Sequence, residues 1–342
     1  MVGNYINTIM KYLVSVNETG IEFFSDENTS ILEQAEINGY SLKNGCRLGA
    51  CRVCKLKLLT GNIEYIGSKK IGLTESELKE NYFLPCCAIA KSNIVCELDG
   101  DGVTLSNTKE GGVICDVKRF LGITILRFNL SKKSKMSFIP GQYIGIEVPN
   151  GKCRYYSIAN IPKNDGYIEI HVAKNKNGVF SDLVCEKIEI NDVLWIYGPY
   201  GDFIAKNYDE VRDIVFVVTG TGFAPVKSLI ESYNFYRRKI HLFWGGRKKS
   251  DYYFSHVIEK WKEMFPDFYF HMTLSNPDES DNWEGELGYV QNIFQSQIDL
   301  NDKIDVYMCG SPNMINDMTE ILKKNYNLNE NYIHCDVFYP NS

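Results

Sequence analysis

No uninterrupted apolar run in the 342-residue chain approaches the roughly 18 to 20 residues that a membrane-spanning helix needs, so a helical membrane protein is not expected. The stretch Met1 to Met10 has neither a basic start nor a long apolar segment. A secretory leader is therefore not expected, and Met10 is a plausible natural start, since strand-like sequence begins at Lys11. Excess positive charge is also missing. The net charge of −6 gives no general pull toward nucleic acid or an anionic membrane surface. No repeat of about 20 to 50 residues is present, which argues against a solenoid. What is there is ordinary globular material: 44% hydrophobic and 23% charged residues exclude a disordered chain, and the length suits two or three domains.

Cysteine is the exception, with eleven residues. In a short secreted chain such a count means disulfides. Here the chain is long, no leader is expected and the cysteines are unevenly spaced, which points to a reducing cytoplasm and to a metal centre. Cys46, Cys51 and Cys54 form C-x4-C-x2-C, and the adjacent pair Cys86-Cys87 follows. One loop delivering three thiolates, with a fourth from a distant strand end, is the plant-type [2Fe–2S] spacing. Gly45 and Gly49 let the loop wrap tightly and turn N–H groups toward sulfur. Zinc is the competing metal, but structural zinc sites usually pair two C-x2-C knuckles and only one exists. Either Cys86 or Cys87 serves as fourth ligand on the spacing alone.

The rhythm changes along the chain. Tyr12 to Val16 and Ile21 to Phe24 alternate like strands around a Thr19-Gly20 turn. Asn28 to Asn38 reads as a capped helix with apolar Ile31, Leu32, Ala35 and Ile37. Lys55–Leu59 and Ile94–Leu98 are further strands. The polar, glycine-ending Leu105 to Gly112 reads as a linker. Short β-type runs broken by Gly and Pro follow (122–129, 143–148, 167–172 and 193–197), as in a small antiparallel barrel. Beyond Asp209, strands at 214–218, 240–244, 268–274, 305–309 and 331–335 alternate with helical stretches such as 226–236. That alternation argues a parallel α/β sheet. The expected division is 10–104, a linker at 105–112, then 113–208 and 209–342.

Two segments carry nucleotide chemistry. Arg154-Tyr155-Tyr156-Ser157 offers Arg154 for a flavin pyrophosphate, Tyr156 to pack on the ring system and Ser157 to hydrogen-bond near N5. Gly178 and Ser181, in Gly178-Val179-Phe180-Ser181, add donors for the same pyrophosphate. Gly220-Thr221-Gly222-Phe223-Ala224-Pro225 follows a buried strand and opens a helix. Gly220, Thr221, Gly222 and Pro225 thus suit a dinucleotide, although G-x-G-x-x-G is incomplete. Cys309-Gly310-Ser311-Pro312 repeats the pattern, with Cys309 beside the nicotinamide. Arg247, followed by Lys248 and Lys249, raises the possibility of a 2′-phosphate, whereas Asp278 after the next strand offers acid; NADH is the expected donor.

The order C-x4-C-x2-C…C, RYYS, GTGFAP, CGSP resembles the ferredoxin–NADH reductase flavoproteins with an N-terminal [2Fe–2S] domain. That group includes reductase components of phenol, benzoate and methane oxygenases and CDP-6-deoxy-Δ3,4-glucoseen reductase. The resemblance implies a β-grasp ferredoxin-like domain, an antiparallel six-stranded flavin-binding β-barrel and an α/β parallel-sheet nucleotide-binding domain. It implies electron flow from NADH to FAD to the [2Fe–2S] cluster and on to an acceptor protein. It selects Cys86 as fourth ligand, after Leu84-Pro85, and sets Ser157, Cys309 and Phe338 at the flavin–nicotinamide contact. RYYSIAN and the closing HCDVF look more like the glucoseen reductases, whose partner is a pyridoxamine-phosphate-dependent sugar dehydrase; an oxygenase component is the alternative acceptor. A redox-sensing module without turnover is the rival from outside the class.

Overall fold

The computed structural model describes residues 10–40, 42, 49, 54–66, 73, 75–98, 108–134, 136–148, 153–162, 166–174, 179–201, 203–206, 210–232, 238–299 and 303–338. The chain divides into two compact units, Met1–Asn107 and Thr108–Ser342.

In the first unit, β1 (Lys11–Val16) and β2 (Ile21–Asp26) pair antiparallel and bury Val14, Val16, Ile21 and Phe23 on one face, as period-two alternation requires. The helix expected from Asn28 begins later, as α1 (Ile31–Ile37). The Asp26 carboxylate accepts the Asn28 and Thr29 N–H groups at 2.9 and 2.8 Å and holds them in a turn, so Ser30 becomes the cap, accepting from Glu33 N–H. Ile31, Leu32 and Ala35 enter the core, while Ile37 at the helix end is 67% exposed. Then follow β3 (Leu56–Thr60), β4 (Ile63–Tyr65), α2 (Glu75–Lys79), β5 (Tyr82–Phe83), β6 (Ala88–Ala90) and β7 (Ile94–Leu98). The main sheet has the order β2-β1-β7-β3-β5, with β1 and β7 parallel and the other pairs antiparallel. β4 and β6 form a separate ribbon. This is the mixed sheet and covering helix of a β-grasp.

The second unit opens with six antiparallel strands: β8 (Thr108–Phe120), β9 (Ile123–Asn129), β10 (Tyr143–Glu147), β11 (Cys153–Ser157), β12 (Tyr167–Ala173) and, after α3 (Val179–Glu186), β13 (Val193–Tyr200). Their order is β11-β10-β13-β8-β9-β12, and a bridge between Ile158 and Ile170 joins the two edges into a barrel. Residues 108–112 of the stretch 105–112, read from the sequence as linker, belong to β8. Gly111 and Gly112 there make no turn: they lie flat opposite Trp195 and Leu194, and a Cβ at Gly112 would stand 3.2 Å from Phe128 Cβ.

A parallel sheet completes the unit: β14 (Asp213–Thr219), α4 (Phe223–Ser232), β15 (Ile240–Gly246), α5 (Ser255–Met264), β16 (Phe268–Leu274), β17 (Glu286–Leu287), α6 (Val290–Gln297), β18 (Ile304–Gly310), α7 (Pro312–Lys324) and β19 (Ile333–Val337). β14 is apolar throughout its middle because both faces are covered. α4 starts three residues before the sequence suggested, since Pro225 in its first turn gives up an N–H that has no partner there anyway. β19 starts two residues late because Asn329 caps a short turn at Glu330–Tyr332. The order β17-β16-β15-β14-β18-β19 reverses direction between β14 and β18. A crevice at such a switch point, at the strands' carboxyl ends, is where open α/β sheets take ligands. No described helix is long and apolar enough to cross a membrane.

Candidate functional site

In the first unit Cys54 ends the cysteine loop ahead of β3, and Cys86 sits in the turn between β5 and β6; both are buried. Leu32 N–H donates to Pro85 O at 2.9 Å, fixing that turn to the start of α1. The Cys86 thiol is held well below the ordinary thiol value. Hydrogen bonds from Cys54 and Cys87 contribute most, burial opposes them, and backbone N–H groups including Gly49's add to the effect. The Cys87 thiol also lies within reach of Leu84 O, to which it can donate at 3.5 Å. Soft sulfur donors gathered in an apolar pocket with an N–H aimed at sulfur fit an iron–sulfur cluster. Cys46 and Cys51, with Gly45, lie outside the described residues.

In the barrel, alternation along β11 sets Arg154 and Tyr156 on one face and Tyr155 and Ser157 on the other. Tyr156 packs on Phe180 with ring centroids 5.3 Å apart, which brings the first turn of α3, with buried Ser181, to that face. Burial pushes the Tyr156 phenol up, so it is neutral. Tyr155 joins Tyr143 and Tyr200 in edge contacts of 5.8 and 6.1 Å. Gly178 lies outside the described residues.

The crevice of the parallel sheet is built by two close backbone approaches. A Cβ on Gly222 would stand 2.2 Å from Cys309 O, and Gly310, at φ +145°, would drive a Cβ to 2.1 Å from Thr219 Oγ1. Only glycine allows these two turns to clasp. Ser311 N–H donates to Thr219 Oγ1 at 2.9 Å across the same gap. The two turns leave α4, starting just beyond Gly220-Thr221-Gly222 and holding Pro225, and α7 both pointing N-termini at the crevice, an arrangement that fits a dinucleotide pyrophosphate.

Barrel and sheet meet here. Ser157 Oγ lies 3.4 Å from Asp336 Oδ2, both buried, and Asp336 is Cys309's register partner on β19. Phe338 N–H donates to Gly310 O at 2.8 Å and its ring packs on the core that contains Cys309. Ser157, Cys309 and Phe338 are thus brought together. Burial, then the Asp336 and Cys335 charges, push the Cys309 thiol well up, so it stays neutral. Asp336 had not been singled out from the sequence; its signal is an acid two residues before Phe338 at a strand end.

A second group was also missed. Glu169, on β12, accepts from Arg127 Nε at 2.6 Å and faces Lys227 Nζ at 3.2 Å, and His171 Nε2 lies 3.3 Å away. Burial raises Glu169, but the His171 hydrogen bond and the Lys227 charge outweigh it and hold the carboxyl well below its usual range. Burial keeps His171 neutral. Lys227 is on α4 and also donates to Ala159 O at 2.9 Å, while Ser228 Oγ accepts from Gly141 N–H at 3.0 Å. The helix that carries the nucleotide turn is therefore pinned to the barrel. Nothing in sequence periodicity announces such a cross-element ion cluster.

Past β15, Asp251 accepts the Arg247 and Lys248 N–H groups at 2.6 and 3.2 Å. Lys248 Nζ meets Asp278 at 2.5 Å, and Lys249 Nζ donates to Asp281 O at 3.1 Å. Both lysines are therefore engaged by an acidic surround.

Three family models match the chain: a 2Fe-2S iron-sulfur cluster binding domain at residues 14–91, an oxidoreductase FAD-binding domain at 121–204 and an oxidoreductase NAD-binding domain at 216–320. A CDP-6-deoxy-L-threo-D-glycero-4-hexulose-3-dehydrase reductase of Yersinia pestis is 34% identical, over 97% of this chain and 99% of that protein. Reductase component 1 of the terephthalate 1,2-dioxygenase of Comamonas is 29% identical over 96% and 98%. Among solved structures, a ferredoxin reductase in carbazole 1,9a-dioxygenase shares the fold with a TM-score of 0.67 at 21% identity, over 96% of this chain and 99% of that one. The chain belongs to the iron–sulfur flavoprotein reductases, oxidoreductases that bind FAD, NAD and a [2Fe–2S] cluster and pass electrons from the nicotinamide through the flavin and cluster to a partner protein.

Proposed function

We propose that this chain is an NADH-dependent reductase whose acceptor is the dehydrase acting on a CDP-6-deoxy-4-hexulose, the partner named in its 34% identical relative. The observation that carries the reading is the meeting of Ser157, Asp336 and Cys309 where barrel and sheet join, since a flavin and a nicotinamide must share one dry contact. Bound FAD and cluster supply the two-electron and one-electron chemistry respectively.

The chain's own residues do the rest. Cys46, Cys51, Cys54 and Cys86 hold the cluster. Arg154, Gly178 and Ser181 hold the FAD pyrophosphate; Tyr156 packs along the flavin, and Ser157 hydrogen-bonds its ring edge while Asp336 orients the hydroxyl. Gly220, Thr221, Gly222, Pro225 and Gly310 cradle the NADH pyrophosphate. Cys309, neutral and small, sits beside the nicotinamide, and Phe338 covers the flavin and excludes water. Arg247 reaches the adenosine ribose. NADH is preferred because Asp251, Asp278 and Asp281 crowd the place where a 2′-phosphate would bind. Working boundaries are 10–104 for the cluster domain, 105–107 for the connection, 108–208 for the flavin barrel and 209–342 for the nucleotide domain; the location is cytoplasmic.

The test is anaerobic turnover of the holoprotein with NADH, a CDP-6-deoxy-4-hexulose-3-dehydrase and its substrate. The reading expects NADH oxidation that depends on the dehydrase. Electron delivery to an oxygenase component alone overturns it in favour of an oxygenase reductase.

A further inference from the structure

Tyr65 ends β4, and its register partner on β6 is Ala88, the residue after Cys87. Ile66 N–H donates to Cys87 O at 2.8 Å, which locks the Tyr65 backbone against the cysteine turn. The ring packs on the hydrophobic core of the unit, which includes Phe83, Leu84, Cys54, Cys86 and Cys87. Its hydroxyl oxygen is fully buried and makes no hydrogen bond, with the Leu84 N–H facing it from outside hydrogen-bond geometry. A buried O–H without an acceptor is rare in folded proteins and calls for a missing partner. Besides burial and the Leu84 backbone, the groups near enough to act on this hydroxyl are the sulfurs of Cys87, Cys54 and Cys86. Cys87, outside the ligand set, stays a neutral thiol and so only a weak acceptor. Once Cys54 is a cluster thiolate, it becomes the strong acceptor the hydroxyl lacks.

We propose that Tyr65 donates a hydrogen bond to the Cys54 sulfur of the [2Fe–2S] cluster and thereby raises the cluster's reduction potential, acting as a positioning residue that sets the driving force of the final electron step. Reduction adds negative charge to the cluster, so a donor to its sulfur favours the reduced form. The inference rests on Cys54 being a ligand, as proposed above.

The experiment is a redox titration of the full-length holoprotein, following the cluster by electron paramagnetic resonance, with Tyr65→Phe and with 3-fluorotyrosine placed at position 65. Loss of one charge-assisted hydrogen bond lowers the reduced-to-oxidised ratio at fixed potential about tenfold in Tyr65→Phe, or about 59 mV for a one-electron couple. Fluorotyrosine keeps the shape, is a stronger donor, and moves the potential up; the flavin potential stays put in both. An intact cluster whose potential moves in neither variant overturns the proposal. If Tyr65→Phe fails to assemble a cluster, fluorotyrosine decides alone: a rise supports the proposal and no change refutes it. Iron content and cluster signal in the unmodified protein and in Cys54→Ser test the ligand assignment separately.

Discussion

Replacing Lys227 by Met removes one cation from a buried carboxylate and keeps the length of the side chain. Lys227 lies 3.2 Å from Glu169, whose side chain is 1% exposed, so water cannot replace the lost charge. Breaking a buried pair by removing one partner costs about 3 to 5 kcal/mol. The lower end applies, because Arg127 still donates to Glu169 at 2.6 Å and His171 remains beside it. A loss of about 3 kcal/mol lowers the melting temperature of a unit this size by roughly 6 to 12 °C. The loss depends on pH with a definite sign. Glu169 is depressed in the folded protein, so the stability it contributes is present above its unfolded value of about 4.3 and is lost as pH falls from there toward the folded value. The gap between Lys227→Met and the parent is therefore full at pH 7 and shrinks in acid. Urea unfolding, followed by release of flavin fluorescence, measures it, and the Glu169→Gln cycle isolates the pair. A gap below about 1 kcal/mol at pH 7, or one that does not shrink in acid, refutes the account of α4 as pinned to the barrel by this cluster.

Other substitutions test the sites. Cys86→Ser abolishes the visible circular dichroism of the cluster, whereas Cys87→Ser, at a position outside the ligand set whose hydroxyl can still donate to Leu84 O, retains it. Asp336→Asn weakens the hold on Ser157 and slows flavin reduction by NADH about tenfold in stopped flow, the effect of one hydrogen bond to a charged group. Gly222→Ala forces a methyl group onto Cys309 O and raises KM for NADH sharply, read by steady-state kinetics, without disturbing the cluster spectrum. Asp278→Asn with Asp281→Asn relieves the repulsion of a 2′-phosphate and raises kcat/KM for NADPH relative to NADH by roughly fivefold, as expected for exposed charges.

Much of the fold was legible because its strands are written in plain periodicity. Val14, Val16, Ile21 and Phe23 alternate, and the β14 run is apolar where both faces are covered. The errors have local causes. Asp26 captures two N–H groups and delays α1, and Gly111-Gly112 looks like a turn yet lies flat in β8 because Trp195 and Phe128 need the room. The glycine turns after β14 and β18 could be read from their strand–turn–helix context. Glu169, Lys227 and the pairing of Asp336 with Ser157 could not, since each rests on a partner far away in sequence that only the tertiary fold supplies.

The most direct test of the central claim is an anaerobic visible spectrum of the purified holoprotein, titrated with NADH and then with NADPH. The account expects flavin bands over a broad iron–sulfur absorbance, both bleached rapidly by NADH and slowly by NADPH. A colourless protein, or a flavin that neither nucleotide reduces, contradicts it.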